Sequence, residues 1–84
     1  LLEELAKIRN FGSGSALNYV EAAKWYSKAV ELGSNLAMNN LGDLYENGFG
    51  VEKNLAKALT LYRRSAANGY GFAFYSLGSL YEKG

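Results

Sequence analysis

Apolar side chains in residues 36–47 fall at Ala37, Leu41, Leu44 and Tyr45, steps of three and four that line one face of a helix. The stripe stops at Gly48-Phe49-Gly50 and resumes over 55–68, where Ala58, Leu61, Tyr62 and Ala66 share a face. Asn54 stands where the second helix needs an N-cap, with a side chain that can accept from first-turn amides. Gly69 stands where that helix needs a left-handed residue to close. The pattern predicts two helices joined by a glycine turn, short enough to pack them antiparallel.

The same pattern returns 36 residues away in both directions. Ala37, Leu41, Gly42, Leu44, Tyr45, Glu46 and Gly48 recur as Ala73, Leu77, Gly78, Leu80, Tyr81, Glu82 and Gly84. Going backwards, Ala58, Tyr62 and Gly69 match Ala22, Tyr26 and Gly33, and Gly48 and Gly50 match Gly12 and Gly14. A period of this length marks stacked supersecondary units. The first unit's second helix is expected to open at Asn18, with Glu21 three residues on completing something close to a capping box. The expected fold is all-α: an α-α superhelix, a right-handed solenoid of antiparallel helix pairs. It has five helices in about two and a half repeats: one over about 1–35, one over about 36–71, and a partial third over about 72–84.

Gly42 sits inside a predicted helix, where glycine costs about 1 kcal/mol relative to alanine. A residue without a side chain lets a neighbouring helix come close. Ala6 holds the matching place in the first unit, so a small residue is the expected requirement and Gly42→Ala is expected to be tolerated.

Composition narrows the function classes. The 84 residues carry a net charge of +1 and are 49% hydrophobic, without cysteine, histidine or proline. Near-neutral charge speaks against nucleic-acid binding, and no apolar run approaches a membrane span. The absence of His and Cys removes the commonest bases, nucleophiles and metal ligands, so no enzyme activity, cofactor or metal is expected. Asp43 and Glu46 share a helix face, but a catalytic carboxylate pair also needs a pocket that raises one pKa. Gly48-Phe49-Gly50 follows a helix rather than a strand and lacks a phosphate-loop lysine, so it reads as an inter-helix turn. The chain opens on LLEELAK without an initiator methionine and closes on YEKG, so it is read as a piece of a longer protein.

These residues resemble the Sel1-like repeat family, relatives of tetratricopeptide repeats. The family pattern runs A-x-x-x-L-G-x-x-Y, a G-x-G-V loop, a capping Asp, K-A, an aromatic and K-A-A-x-x-G. It is met here by Ala37, Leu41-Gly42, Tyr45, Gly48-x-Gly50-Val51, Asn54, Lys57-Ala58, Tyr62 and Ser65-Ala66-Ala67-x-Gly69. Asn54 replaces the Asp, and Gly12-Ser13-Gly14-Ser15 lacks the Val. The resemblance implies an adaptor or scaffold that holds protein or peptide partners. In helix-pair solenoids the first helices line the concave face. With Leu41, Leu44 and Tyr45 turned inward, Asn39, Asp43 and Glu46 are expected to face outward into that groove. Register adds Tyr75, Ser79 and Glu82 from the third unit and Lys7 from the first. Asn40 is a further candidate for a peptide backbone, but Glu4 and Ser76 at its matching places argue against a carboxylate clamp. Tyr75, Phe72 and Phe49 lie off the core stripe, where aromatics are candidate contact residues. The last helix, with Phe74, Leu77, Leu80 and Tyr81, is expected to leave an apolar face bare that attracts a second copy. Two other classes remain open: a spacer within a longer solenoid, and an accessory domain of an enzyme whose catalytic part lies elsewhere.

Overall fold

The computed structural model describes residues 16–83. Among them the chain is all-α: α1 (Ala16–Glu31), α2 (Asn35–Asn47), α3 (Leu55–Ala67) and α4 (Gly71–Lys83). The fifth expected helix, in the first dozen residues, lies outside the described residues, as do the Gly12–Ser15 loop and Lys7.

Each helix starts and stops for a local reason. The Ser34 hydroxyl accepts from Ala37 N at 3.1 Å and opens α2. Asn54 Oδ1 accepts from Lys57 N at 3.0 Å and opens α3, as the sequence predicts. Gly33 and Gly69 both have positive φ, and each closes its helix in the same doubly bonded turn. After α3, Gly69 N donates to Ala66 O at 2.9 Å and Tyr70 N to Ser65 O at 3.1 Å. After α1, Gly33 N donates to Val30 O and Ser34 N to Ala29 O. Asn18 corrects the expectation: Ala16 and Leu17 are already helical, so Asn18 lies inside α1 rather than capping it.

α2 and α3 run antiparallel. Ser65 Oγ near the end of α3 donates to Asn35 O at the start of α2, at 2.9 Å, while Asn54 N donates to Tyr45 O at the opposite end. One buried cluster joins Ala22 and Ala23 of α1, Met38, Leu41 and Leu44 of α2, and Leu61 of α3. A second joins Ala58 and Tyr62 of α3 to Leu80 of α4. Burying such side chains drives most of the association, at about 25 cal/mol per Å² of apolar area.

Two glycines answer to space. A Cβ on Gly50 would lie 2.3 Å from the Tyr19 carbonyl carbon, so the loop after α2 lies against the backbone of α1. Phe49 beside it stacks on Tyr19 with ring centroids 4.8 Å apart. A Cβ on Gly42 would lie 2.6 Å from Tyr62 Cε1 and 2.8 Å from Cδ1. The close approach expected at Gly42 is therefore real, but what approaches is a ring. A single methyl already falls well inside contact distance of it, so alanine is expected to cost stability at this position rather than be tolerated.

The last helix also departs from expectation. Leu80 is buried against α3, while Phe74 and Tyr81 are 62% and 60% exposed. Leu80 belongs to the core because its stripe packs on α3, and the bare face of α4 is the neighbouring one.

Candidate partner-binding groove

α2 and α4, one repeat apart, lie side by side, and the space between them is an open groove of about 430 Å³. Its α2 wall is Asp43, Leu44, Glu46 and Asn47, with Phe49 beyond the helix end. Its α4 wall is Phe72, Tyr75, Ser76 and Ser79. A second, shallower hollow of about 320 Å³ continues along α4 past Tyr75, Gly78, Ser79 and Glu82.

The aromatic residues sit where the sequence left them, off the core. Tyr75 is 74% exposed, and its ring lies 5.7 Å from that of Phe72, which in turn lies 6.5 Å from Tyr70. The i, i+3 spacing of Phe72 and Tyr75 puts both rings on one helical face. They form an apolar ledge beside a strip of hydroxyls and carboxylates.

The carboxylates correct the expected geometry. Glu46 is 6% exposed and Asn39 is 1% exposed, so neither faces outward. Glu46 is drawn inward by the Tyr62 phenol, which donates to Glu46 Oε1 at 2.7 Å and to Asp43 Oδ1 at 2.5 Å. A hydroxyl has one proton, so the two carboxylates share it as alternative acceptors. Asp43 keeps an exposed edge toward the groove, while Glu46 shows only its rim. Asn39 begins the same 39, 43, 46 stripe but lies within the packed layer. Its Oδ1 and the indole Nε1 of Trp25 are buried with no hydrogen-bond partner.

Tyr62 itself is fully buried. Burial first, then the hydrogen bonds from Asp43 and Glu46, hold its phenol protonated far above the usual tyrosine range. The hydroxyl thus works as a permanent donor that fixes two groove carboxylates, while the ring fills the space left by Gly42. Sequence reasoning placed Tyr62 in the core but missed this role. The available signal was Gly42 beside Asp43 and Glu46, a seat for a ring next to two acceptors.

Of the other candidates, Ser79 and Glu82 do line the groove and its continuation, whereas Asn40 is half-buried and lines neither. Ser76, the register match of Asn40, lines the groove with its hydroxyl turned back to Phe72 O at 3.4 Å. The groove therefore joins Asp43, Tyr75 and Ser79, keeps part of Glu46 and excludes Asn39 and Asn40. Among the described residues no group of His, Cys, Asp or Glu is placed to hold a metal ion. No helix among them is long and apolar enough to cross a membrane.

The glycine-seated ring, the doubly bonded turns at Gly33 and Gly69, and the recurrence of both helix faces define the repeat unit. The Sel1 repeat profile matches residues 2–34 and again residues 35–70. The chain belongs to the Sel1-repeat family. Sel1 repeats form helical solenoids and generally serve as protein-interaction modules. No curated protein and no solved structure matches the chain.

Proposed function

We propose that this Sel1-repeat chain is a non-catalytic adaptor module that binds a peptide segment of a partner protein in the α2–α4 groove. The observation that carries this reading is the Phe72–Tyr75 ledge. Two large aromatic side chains stand exposed side by side on the wall of an open groove. Aromatics of this kind dominate binding energies when a partner desolvates them. Ser79 and the exposed edge of Asp43 supply hydrogen-bonding groups beside the ledge, which fix the register of a bound backbone.

Peptides selected against the whole chain from a random display library test the reading. Their binding should shift the amide resonances of Asp43, Tyr75 and Ser79. The double variant Phe72→Ser with Tyr75→Ser should weaken them at least tenfold, since truncating one hot-spot aromatic costs more than about 1 kcal/mol. The thermal midpoint should stay nearly unchanged, because both side chains are exposed. Selected peptides that map elsewhere, or bind the double variant equally well, refute the groove assignment.

A further inference from the structure

Charge of one sign lines the groove between α2 and α4. Asp43 and Glu46 stand on its α2 wall, and among the described residues no lysine or arginine lines either wall. Lys24 and Lys28 belong to α1, and Lys57, Arg63 and Arg64 to α3. Lys53 follows α2 and packs beside Gly48, where an added Cβ would meet its own at 3.1 Å, but it too is absent from the lining. Three further features favour a cation at this end of the groove. The α2 wall is the C-terminal half of its helix, where the helix dipole is negative, and the last turn holds Glu46 but no basic residue. Asn47 Nδ2 donates to Asp43 O at 2.9 Å, which fixes that amide and leaves its Oδ1 as an acceptor on the groove wall. On the opposite wall stand the Phe72 and Tyr75 rings, whose π faces attract positive charge. The Tyr62 phenol that holds Asp43 and Glu46 is neutral, so it fixes the two carboxylates without cancelling their charge.

We infer, resting on the groove as the peptide seat, that the partner segment is basic. An arginine beside an apolar residue enters the groove, with its guanidinium on the Asp43 carboxylate and its flat face against the Phe72–Tyr75 ledge. Arginine suits this seat better than lysine. Its planar fork pairs with a carboxylate and stacks on an aromatic ring at once, whereas the lysine ammonium is a compact, strongly hydrated point charge. The apolar neighbour covers the part of the ledge that the guanidinium leaves bare. A groove of about 430 Å³ is large enough for both side chains. An acidic segment meets like charge from Asp43 and Glu46 and the negative end of α2, so the same groove rejects it. Aromatic contact supplies affinity, and the one-sided charge selects which segments may use it.

A random peptide display library, selected on the whole chain at low salt, is the probe. The selected peptides should be enriched in arginine next to an apolar residue and depleted in Asp and Glu, relative to the starting library. One of them is then synthesised with its arginine and again with citrulline, which keeps the shape and removes the charge. The citrulline form should bind at least tenfold more weakly. Raising the salt to physiological strength should weaken the arginine form and leave the citrulline form nearly unchanged. Asp43→Asn keeps an acceptor for the Tyr62 hydroxyl, so the thermal midpoint should hold. On that variant the arginine form should lose affinity several-fold while the citrulline form does not, the coupling expected of a direct pair. The amide resonances of Asp43, Tyr75 and Ser79 tell the two readings apart. Peptides that shift them but show no arginine enrichment, or bind equally well with citrulline, overturn the basic partner and leave the groove as a peptide seat. Peptides that leave them unshifted overturn both. An arginine peptide that shifts them yet binds Asp43→Asn as tightly as the wild type overturns the placement of the guanidinium on Asp43.

Discussion

Replacing Gly42 by alanine is the sharpest test of how α2 and α3 pack. The added methyl would stand 2.6 Å from Tyr62 Cε1, 2.8 Å from Cδ1 and 3.2 Å from Cζ. Carbon atoms pack comfortably at about 3.5–4.0 Å, so the ring must retreat by on the order of 1 Å. It has little freedom to do so. Tyr62 is fully buried, Leu80 and Ala58 pack in the same cluster, and the hydroxyl is held by Asp43 and Glu46 at 2.5 and 2.7 Å. Overpacking of this kind costs about 1–3 kcal/mol. Misaligning a hydrogen bond to a charged group puts a further 1.5–3 kcal/mol or so at risk. Against this, alanine gains about 1 kcal/mol of helix propensity over glycine. The net expectation is a loss of about 1–3 kcal/mol, which in a domain of this size lowers the thermal midpoint by about 4–8 °C per kcal/mol. The control is Gly78→Ala, the register-matched substitution at an open position, where only the propensity gain remains and stability should rise by up to about 1 kcal/mol. Urea melts followed by circular dichroism measure both. Opposite signs at Gly42 and Gly78 are required; if Gly42→Ala is as stable as the wild type or more so, the ring is not held where the reasoning needs it.

Two further outcomes follow from single contacts. The Tyr62 phenol keeps its proton in the folded state well above pH 10, so its stabilisation is complete below the unfolded value near 10 and is lost as pH rises beyond it. Stability should fall by up to about 1.4 kcal/mol per pH unit there from this group, urea melts of Tyr62→Phe should show a shallower alkaline loss, and equal slopes for the two proteins would refute the buried-donor account. Asn54→Ala removes the bond to Lys57 N and should cost about 1 kcal/mol in the same melts, while Asn54→Asp should cost almost nothing because aspartate caps equally well.

Much of the fold was legible because its determinants are local. Asn54 as a cap, Gly33 and Gly69 as left-handed closures and the stripe through Leu41 and Leu44 follow from short-range geometry and recur one period apart, so each reading supports the other. The misreadings share a different cause. The inward stripe of Leu41, Leu44 and Tyr45 places Asn39 and Glu46 outward, and Glu21 three residues after Asn18 suggests a capping box, yet neither pattern senses what packs on the next face or where the helix begins. Helical periodicity tells which residues share a face with Leu41, but it carries no information about the partner of the adjacent face. That partner is Tyr62, at a separation of 20 residues from Gly42, and only the packed structure shows that its hydroxyl reaches the α2 carboxylates.

The repeat itself separates the positions that build the solenoid from those that can recognise a partner. Where the two units carry the same residue, as at Ala37 and Ala73, Leu44 and Leu80, or Gly33 and Gly69, the side chain or its absence serves packing or a turn. Where the register breaks along the α2–α4 groove, the residue is free of that duty. Asn39 becomes Tyr75, Asp43 becomes Ser79 and Leu36 becomes Phe72, and the α4 members of all three pairs line the groove or its continuation. A buried amide replaced by an exposed ring cannot be a packing solution, because no neighbour covers Tyr75 and its ring touches chiefly Phe72. Gly78 is one of three exceptions, with the exposed Tyr81 and Glu82: it matches Gly42 in identity yet lacks the ring that makes glycine necessary there. An unobstructed helical glycine costs stability without serving local packing.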